Sequence, residues 1–348
     1  MNWTLLKTLC ETPAVPGREE KMRAVVKTEM EPLVDSLDVD VMGNVIGRKK
    51  RDAGRKVMVA AHMDEIGFYV KFIEDKGFLR LQAVGGFDPR QLFAQRVLVH
   101  VQGGDALPGV LTYTTKPTHL LTAEEAGKAP KIENFFVDLG LPSEAVRENV
   151  RVGDFVTMDR GLMECGDVVV SKAIDNRVGV FVLLETLKRL KQIEVDLYAV
   201  ATVQEEVGLR GAGTSAFSIT PDVSIALDTT LACDYPGNAD ADAVTRLGEG
   251  VAIKIMDSSL ICHPRLVDHF RTLAEDRKIS HQMEILPRGG TDAGAMQRSA
   301  GGNVSMTLSI PTRYIHTVNE MAHKQDIEAA IDLLVAYIEA SHTGDYRW

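Results

Sequence analysis

Five apolar runs of this chain each lead into side chains that can bind a metal ion. The runs and the residues that follow them are 57–61 with His62 and Asp64, 168–174 with Asp175, 195–203 with Glu205 and Glu206, 223–227 with Asp228, and 304–310 with His316. Apolar runs of this length are typical of buried strands in an α/β sheet, and ligands bind such sheets at the carboxyl ends of the strands. Two histidines and several carboxylates at one edge predict a hydrolytic centre with two metal ions.

Asp175 and the Glu205–Glu206 pair are the most informative of these side chains. The two oxygens of Asp175 could bridge two cations, although the residue also stands where a helix should begin and could simply cap it. Neighbouring side chains point in different directions, so one glutamate could bind metal while the other takes a proton from water. A Glu-Glu pair alone is more typical of a surface loop. Here the pair follows a long apolar run and precedes a glycine-rich stretch, which favours a functional role.

His62 and Asp64 are separated by one residue and therefore share a face of an extended segment. Asp64 could orient the His62 imidazole from there. Asp228 and His316 are weak candidates when each is taken alone. The other seven histidines lack a matching acidic context, and we interpret them as surface or structural residues.

A tight loop, Gly289-Gly290-Thr291-Asp292, is expected to open a helix. Two interpretations of this loop stay open. Thr291 or Asp292 could be the N-cap of the helix, or the backbone N–H groups of the loop could face a ligand as the wall of a substrate pocket.

Composition favours a soluble globular protein. Hydrophobic residues make up 45% and charged residues 25% of the 348 residues, which are ordinary values. The net charge of −10 argues against nucleic acid or an anionic membrane as a partner. Four scattered cysteines form no C-x-x-C pair, and no signal peptide or membrane span is recognisable, so we expect reduced thiols and a cytoplasmic location.

The order of apolar patterns predicts an α/β domain interrupted by a small β domain. Two helices are expected within 2–33, then a hairpin over 37–47 that turns at Gly43-Asn44. Short β-branched runs cut by glycine and proline follow Gly67, and no long helix is expected among them. Helices are expected again over 176–191 and 326–340. We place the catalytic domain at 1–67 and 165–348 and the β insert at 68–164.

Several motifs together resemble the tetrahedral aminopeptidases, a family of cocatalytic-metal peptidases that includes glutamyl and deblocking aminopeptidases and is sometimes labelled endoglucanase-like. The motifs are Ala61-His62-Met63-Asp64-Glu65-Ile66-Gly67, Ala173-Ile174-Asp175-Asn176-Arg177, Gln204 to Ala212, Gly289 to Gly294 and Arg313-Tyr314-Ile315-His316, with Val84 to Arg90 resembling the insert. They occur in the family's order over nearly the full chain. Each motif is weak alone, but the set is specific.

The resemblance implies a role for each residue. Asp175 would bridge two divalent metal ions, with zinc expected and cobalt or manganese compatible. His62 and Asp228 would complete one ion, and Glu206 and His316 the other. Glu205 would be the general base, and Asp64 would orient His62. A cis peptide between Asp175 and Asn176 is also implied.

The resemblance further implies a mixed-sheet α/β/α metallopeptidase domain with a PDZ-like insert. The implied activity is removal of N-terminal residues from short peptides. The implied assembly is a dodecamer built from dimers, with contacts through the insert. Three alternatives stay open: a metal-dependent deacylase or carboxypeptidase, a glycosidase, and a non-catalytic binding particle.

Overall fold

The computed structural model describes residues 1–51, 54–116 and 118–347. The helices are α1 (Trp3–Glu11), α2 (Glu20–Met30), α3 (Ala123–Ala126), α4 (Ser143–Asn149), α5 (Ile174–Arg189), α6 (Arg210–Ile219), α7 (Pro264–Arg277), α8 (Asp292–Gln297) and α9 (Lys324–Ala340). The strands are β1 (Ser36–Val39), β2 (Val45–Lys49), β3 (Lys56–His62), β4 (Gly67–Ile73), β5 (Leu79–Val84), β6 (Gln95–His100), β7 (Leu107–Tyr113), β8 (Phe135–Asp138), β9 (Phe155–Met158), β10 (Met163–Cys165), β11 (Val168–Ser171), β12 (Asp196–Thr202), β13 (Val223–Leu231), β14 (Val251–Met256), β15 (His281–Ile285), β16 (Val304–Arg313) and β17 (Glu320–His323).

Contacts divide the chain into two compact units. The first unit comprises Met1–Glu65, Gly161–Ile315 and Asn319–Trp348, and the second comprises Ile66–Arg160 with His316–Val318. The chain therefore leaves the first unit directly after Glu65 and returns to it at Gly161.

The first unit contains one mixed sheet of eleven strands. Its order is β1-β2-β12-β3-β13-β16-β17-β11-β10, and β14 pairs with both β16 and β15. The four strands in the middle of this sheet run parallel to one another, in the order β12, β3, β13 and β16. Nearly every residue of β3 and β13 is buried, as expected for strands covered on both faces. The predicted mixed α/β fold is confirmed.

Two groups of helices pack on this sheet. α5 contacts α1, α9, β3 and β13, and α9 also contacts α7. A second group is formed by α6 and α8, which contact each other and, respectively, β12 and β13. The central helix α5 is buried on all sides from Ile174 to Leu187, which fits a sequence that is apolar all round, rather than on one stripe, over 178–184.

Most predicted elements of the first unit are present. α1 and α2 are the two expected N-terminal helices. β1 and β2 form the expected hairpin, whose turn is held by Asp40 Oδ1, which accepts from the N–H groups of Met42, Gly43 and Asn44. The predicted strand end at Asp228 is wrong, because β13 continues to Leu231 in register with β16.

The second unit is a closed barrel of six strands in the order β4-β5-β8-β7-β6-β9. It has its own apolar core, which includes Phe68, Val97, Leu111, Phe135 and Val156. Its helices α3 and α4 span four and seven residues, so the absence of a long helix is confirmed for its described residues. The likeness to a PDZ domain stays a prediction. Among the described residues of the whole chain, no helix has the length and apolar character to cross a membrane.

The connection from β12 to α6 is held by Asn44 and depends on a close approach at Gly211. Asn44 Oδ1 accepts from Val203 N at 3.0 Å, and Asn44 Nδ2 donates to Gly211 O at 3.1 Å. Gly211 N donates in turn to Val203 O at 3.0 Å. A Cβ on Gly211 would lie 2.5 Å from Val203 O and 2.7 Å from Val203 N, and would also meet Asn44 Oδ1. This connection carries Glu205 and Glu206.

We predict that Gly211→Ala lowers the free energy of unfolding by about 1–3 kcal/mol, because the added methyl group must displace backbone atoms. Gly213→Ala in the same helix is the matched control: its Cβ would meet only Ala295 Cβ, at 3.7 Å. The control should be neutral or gain up to about 1 kcal/mol from helix propensity. Urea unfolding of both variants measures the difference. Equal midpoints would contradict the close approach.

Candidate metal centre

Strand register brings the predicted ligands His62 and Asp228 to one level. His62 pairs with Thr202 on β12, and Ala60 pairs with Ala226 on β13. His62 lies two residues beyond Ala60, and Asp228 lies two residues beyond Ala226. Because β3 and β13 run parallel, the two side chains come to the same level of the sheet. Glu205 and Glu206 follow the end of β12. One edge of the central sheet thus supplies four of the predicted site residues: three at or after the ends of β3 and β12, and Asp228 inside β13.

The irregular first residues of α5 present Asp175 without using it as a cap. Ala173 has φ +56°, Asp175 has non-helical ψ 107°, and the peptide bond from Asp175 to Asn176 is cis, which confirms the implied cis bond. Asn176 Oδ1 accepts from Gly179 N at 3.1 Å, so Asn176 caps the helix. Asn176 Nδ2 also donates to the carbonyl of Leu227, the residue before Asp228, at 2.7 Å.

A single imidazole nitrogen lies at the centre of the carboxylates. His62 Nε2 is 3.3 Å from Asp175 Oδ1, 3.8 Å from Asp228 Oδ1 and 3.9 Å from Glu205 Oε2. Two sets of possible ligand atoms, each within 4.8 Å of one another, share His62. The sets are His62 with Glu205 and Asp228, and His62 with Asp175 and Glu206. Every one of these residues is buried except Glu206, which is half-buried.

Asp64 contacts both the Glu205–Glu206 pair and His62. Its Oδ1 and Oδ2 accept from the backbone N–H groups of Glu205 and Glu206, each at 3.1 Å. Its backbone carbonyl lies 3.0 Å from His62 Nδ1, whereas its carboxylate Oδ1 lies 3.6 Å away. A carbonyl only accepts, so it holds the proton on Nδ1 and leaves the Nε2 lone pair for a ligand. The carboxylate of Asp64 therefore fixes the glutamate pair more directly than the imidazole.

Burial and crowding shift the acid–base equilibria of these groups. Burial raises the pKa of Glu205 well above its usual range; His62 opposes the shift, and Asp228 and Glu206 add to it. Burial likewise raises the pKa of Asp228, again against the effect of His62. Burial alone would lower the pKa of His62, but Glu205, Asp175 and Asp64 together hold it well above its usual value. The cluster holds more negative charge than its single imidazole can balance.

These donors fit divalent cations. Imidazole nitrogen and carboxylate oxygen are the ligands that zinc, manganese and cobalt accept in hydrolytic centres. Burial and neighbouring carboxylates raise the pKa values of Glu205 and Asp228. A bound cation would stabilise the ionised form of both groups.

The remaining predicted site residues lie in two places. His316 groups with the second unit, where it is half-buried beside Gly86. Thr291 stands at the N-cap position of α8, but its side chain makes no cap and instead bonds to Asp257 and Thr307 at 3.0 and 2.7 Å. The capping interpretation of Thr291 is therefore wrong.

The loop before α8 divides into exposed glycines and buried polar residues. Gly289 and Gly290 are exposed, whereas Thr291 and Asp292 are buried. Asp292 Oδ2 accepts from Thr202 Oγ1 at 2.5 Å, on the strand residue that pairs with His62. Burial raises the pKa of Asp292 to about 6, and Asp64 adds to the shift while His62 and Thr202 oppose it. Asp292 thus supports the floor of the site.

Sequence reasoning missed Asn44, Thr202 and Glu320. Glu320 Oε2 accepts from the backbone N–H of Asp175 at 2.8 Å, across 145 residues of sequence. Asn44 holds the segment before Glu205 from 159 residues away. No spacing pattern marks such pairs, because each depends on which strands become neighbours.

Comparison with known proteins identifies the family. Residues 43–333 match the family described as M42 glutamyl aminopeptidase. The chain belongs to this family. A relative described as a putative aminopeptidase of Acetivibrio thermocellus is 41% identical over 335 residues, which cover 96% of this chain and 97% of the relative. Membership makes this protein a peptidase, and it confirms the resemblance found in the motifs.

Solved structures agree with this membership. An aminopeptidase from the archaeon Desulfurococcus kamchatkensis is 42% identical, with a TM-score of 0.92 over 97% of this chain and 94% of that one. The TET1 peptidase of Pyrococcus horikoshii is 31% identical, with a TM-score of 0.86 over 97% of this chain and 98% of that one. The Pyrococcus peptidase is described as able to assemble into a tetrahedron or a large octahedral shell.

Proposed function

We propose that this protein is a two-metal aminopeptidase that removes N-terminal residues from short peptides. The observation that carries this proposal is the set of carboxylates within 3.3–3.9 Å of His62 Nε2, in a chain of the M42 family. Buried carboxylates in such numbers need cations, and a peptidase of this family offers a use for them.

The proposed ligands are taken from the two sets of atoms that share His62 and from the motif resemblance. Asp175 would bind both of two divalent cations. His62 and Asp228 would complete one site and Glu206 the other, and His316 stays a predicted ligand of the second ion. We expect zinc, although cobalt and manganese suit the same donors.

Glu205 is the proposed general base. Its neighbour Glu206 belongs to the set of possible ligand atoms that contains Asp175. We therefore assign Glu206 to metal binding and Glu205 to proton transfer. The chemistry that two divalent cations supply in such a centre is the acidification of water and the polarisation of a carbonyl. Glu205 accepts the proton of the attacking water and delivers it to the leaving amine. Burial raises the pKa of Glu205, which favours its acceptance of that proton.

A free N-terminus on the substrate is proposed because the matching family is described as M42 glutamyl aminopeptidase. We place the substrate pocket beside the loop Gly289-Gly290-Thr291-Asp292, where the exposed glycines leave backbone N–H groups available.

The cytoplasmic location stays a prediction.

The alternatives predict different substrates. A carboxypeptidase or deacylase would require a basic group for a substrate carboxylate, and the family that this chain matches is described as one of aminopeptidases. A glycosidase would need two carboxylates but no histidine ligand. A non-catalytic particle would have no use for a base beside a ligand set.

We predict that aminoacyl p-nitroanilides with free amines are hydrolysed and that their N-acetylated counterparts are not. Chelation should abolish turnover, and added Zn²⁺, Co²⁺ or Mn²⁺ should restore it. His62→Gln is the matched inactive control. Faster cleavage of acetylated substrates would favour a deacylase, and release of C-terminal residues would favour a carboxypeptidase. Full activity after complete metal removal would refute the metal centre, and cellulose hydrolysis would favour the glycosidase.

We predict that Glu205→Gln keeps both metal ions and loses turnover by about 100- to 10,000-fold, the range typical of a general base. Elemental analysis and kcat on the same preparation are the measurements. Loss of a metal ion would instead make Glu205 a ligand, since it lies in one set of ligand atoms with His62 and Asp228. Near-normal turnover would exclude both roles.

We also propose that the chain forms a homo-oligomer through its β insert, with a dodecamer built from dimers as the expected form. The second unit exposes large apolar side chains, including Phe72 on β4 at 58% and Val152 at 66%. A small barrel with limited core gains from burying such side chains against partners.

We predict that the particle mass in light scattering is about twelve times the 38.1 kDa of one chain. Replacing both apolar side chains, Phe72→Arg with Val152→Arg, should reduce that mass, because charge at a buried contact is costly. Val41→Arg is the control, since Val41 is fully exposed in the first unit, and it should leave the mass unchanged. A wild-type mass of one chain with full peptidase activity would refute the assembly.

A further inference from the structure

Three buried charged residues form a cluster beside the candidate metal centre. We call Glu65, Lys172 and Arg177 the Glu65 cluster. Glu65 Oε2 accepts from Lys172 Nζ at 2.6 Å, and Glu65 Oε1 accepts from Arg177 Nη2 at 3.2 Å. Relative exposure is 3% for Glu65, 5% for Lys172 and 0% for Arg177. Burial on this scale requires that each charge be paired and hydrogen-bonded.

The same cluster holds the segment that follows α1. Arg177 Nη1 donates to the carbonyls of Leu9 and Thr12 at 2.5 and 2.7 Å. Ala14 N donates to Glu65 Oε1 at 3.2 Å, and Glu65 N donates to Ala14 O at 2.8 Å. The guanidinium thus satisfies carbonyls that the helix end and the following loop leave without partners.

The position of the cluster in the sequence gives it a second effect. Glu65 comes directly after Asp64 and three residues after His62. Lys172 and Arg177 lie on either side of Asp175, three residues before it and two residues after it. The two ion pairs therefore join the strand end that carries His62 to the turn that carries Asp175, and each is made by side chains that face away from solvent.

We propose that the Glu65 cluster is a positioning device for the metal ligands. By holding the strand end after β3 against the turn before α5, it sets the separation of His62 and Asp175 and so the affinity for the cation that they share. None of its three members touches the reacting atoms. Ligands held by packing and by buried hydrogen bonds bind metal more tightly than mobile ones, because less freedom is lost on binding. This inference rests on the proposed metal centre.

The decisive variants are Lys172→Met and Glu65→Gln. Lys172→Met removes one charge and keeps most of the apolar stem, while Arg177 continues to hold Glu65. We expect Zn²⁺ affinity, measured by competition with a chelator, to fall about tenfold or more, the range typical when a partner of a ligand is removed. Glu65→Gln should have a larger effect, because both ion pairs lose their acceptor charge. Lys172→Arg keeps the charge and should recover part of the affinity.

A half-buried ion pair elsewhere in the first unit provides the control for a merely structural role. Arg48 makes a bidentate pair with Asp196 at 2.8 and 2.7 Å, and Asp196 begins β12, at the end of that strand opposite to the site. Asp196→Asn should lower the melting temperature of the zinc-free protein and leave Zn²⁺ affinity within about twofold of wild type, because Asp196 lies at the end of β12 that is remote from Glu205 and Glu206.

The outcomes separate this inference from the proposed function. Wild-type protein that binds no Zn²⁺ would remove the metal centre and the positioning role together. Wild-type binding, with Lys172→Met and Glu65→Gln losing melting temperature but keeping the affinity of wild type, would overturn only the positioning role. If Glu65→Gln fails to fold, the comparison of Lys172→Met with Lys172→Arg decides alone: equal Zn²⁺ affinity in the two variants overturns the inference, and higher affinity in Lys172→Arg supports it.

Discussion

Negative charge buried at the ends of the central strands is the constraint on which the rest of the structure depends. The carboxylates there fall into two kinds. Asp64 and Glu65 are satisfied by the protein itself, through backbone N–H groups and through two cationic side chains. Glu205 and Asp228 are balanced only in part, and burial raises their pKa values. In the proposed metal centre, the first kind holds the site together, and the second kind would supply the affinity for cations.

Much of the site could be predicted because its ligands are attached to strands that are readable from sequence. A buried strand is an apolar run, and parallel neighbours end at the same edge, so His62 and Asp228 could be assigned to one place before their register was known. Asp175 could be assigned to a strand-to-helix turn for a similar reason. The extension of β13 to Leu231 could not, because the apolar run stops at Leu227 and the pairing with β16 is what keeps the polar residues after it extended.

Contacts between distant segments were not predictable in the same way. Thr291 has the local pattern of a cap, yet its hydroxyl bonds to Asp257 and Thr307, since a buried tertiary partner outweighs a local one. Glu65 carries no periodic signal, and its partners lie 107 and 112 residues away. Local propensity predicts elements, whereas these contacts depend on how the elements pack.

The pairing of β4 with β9 has a consequence for how this architecture can vary. These are the first and last strands of the barrel, and they lie side by side, with Phe68 opposite Val156 and Tyr69 opposite Phe155. The chain therefore enters and leaves the barrel at neighbouring points. The eleven described strands of the mixed sheet all belong to the first unit. A short loop could close the gap after excision, which makes the barrel an exchangeable module whose sequence can change without any strand of the catalytic sheet losing its neighbour.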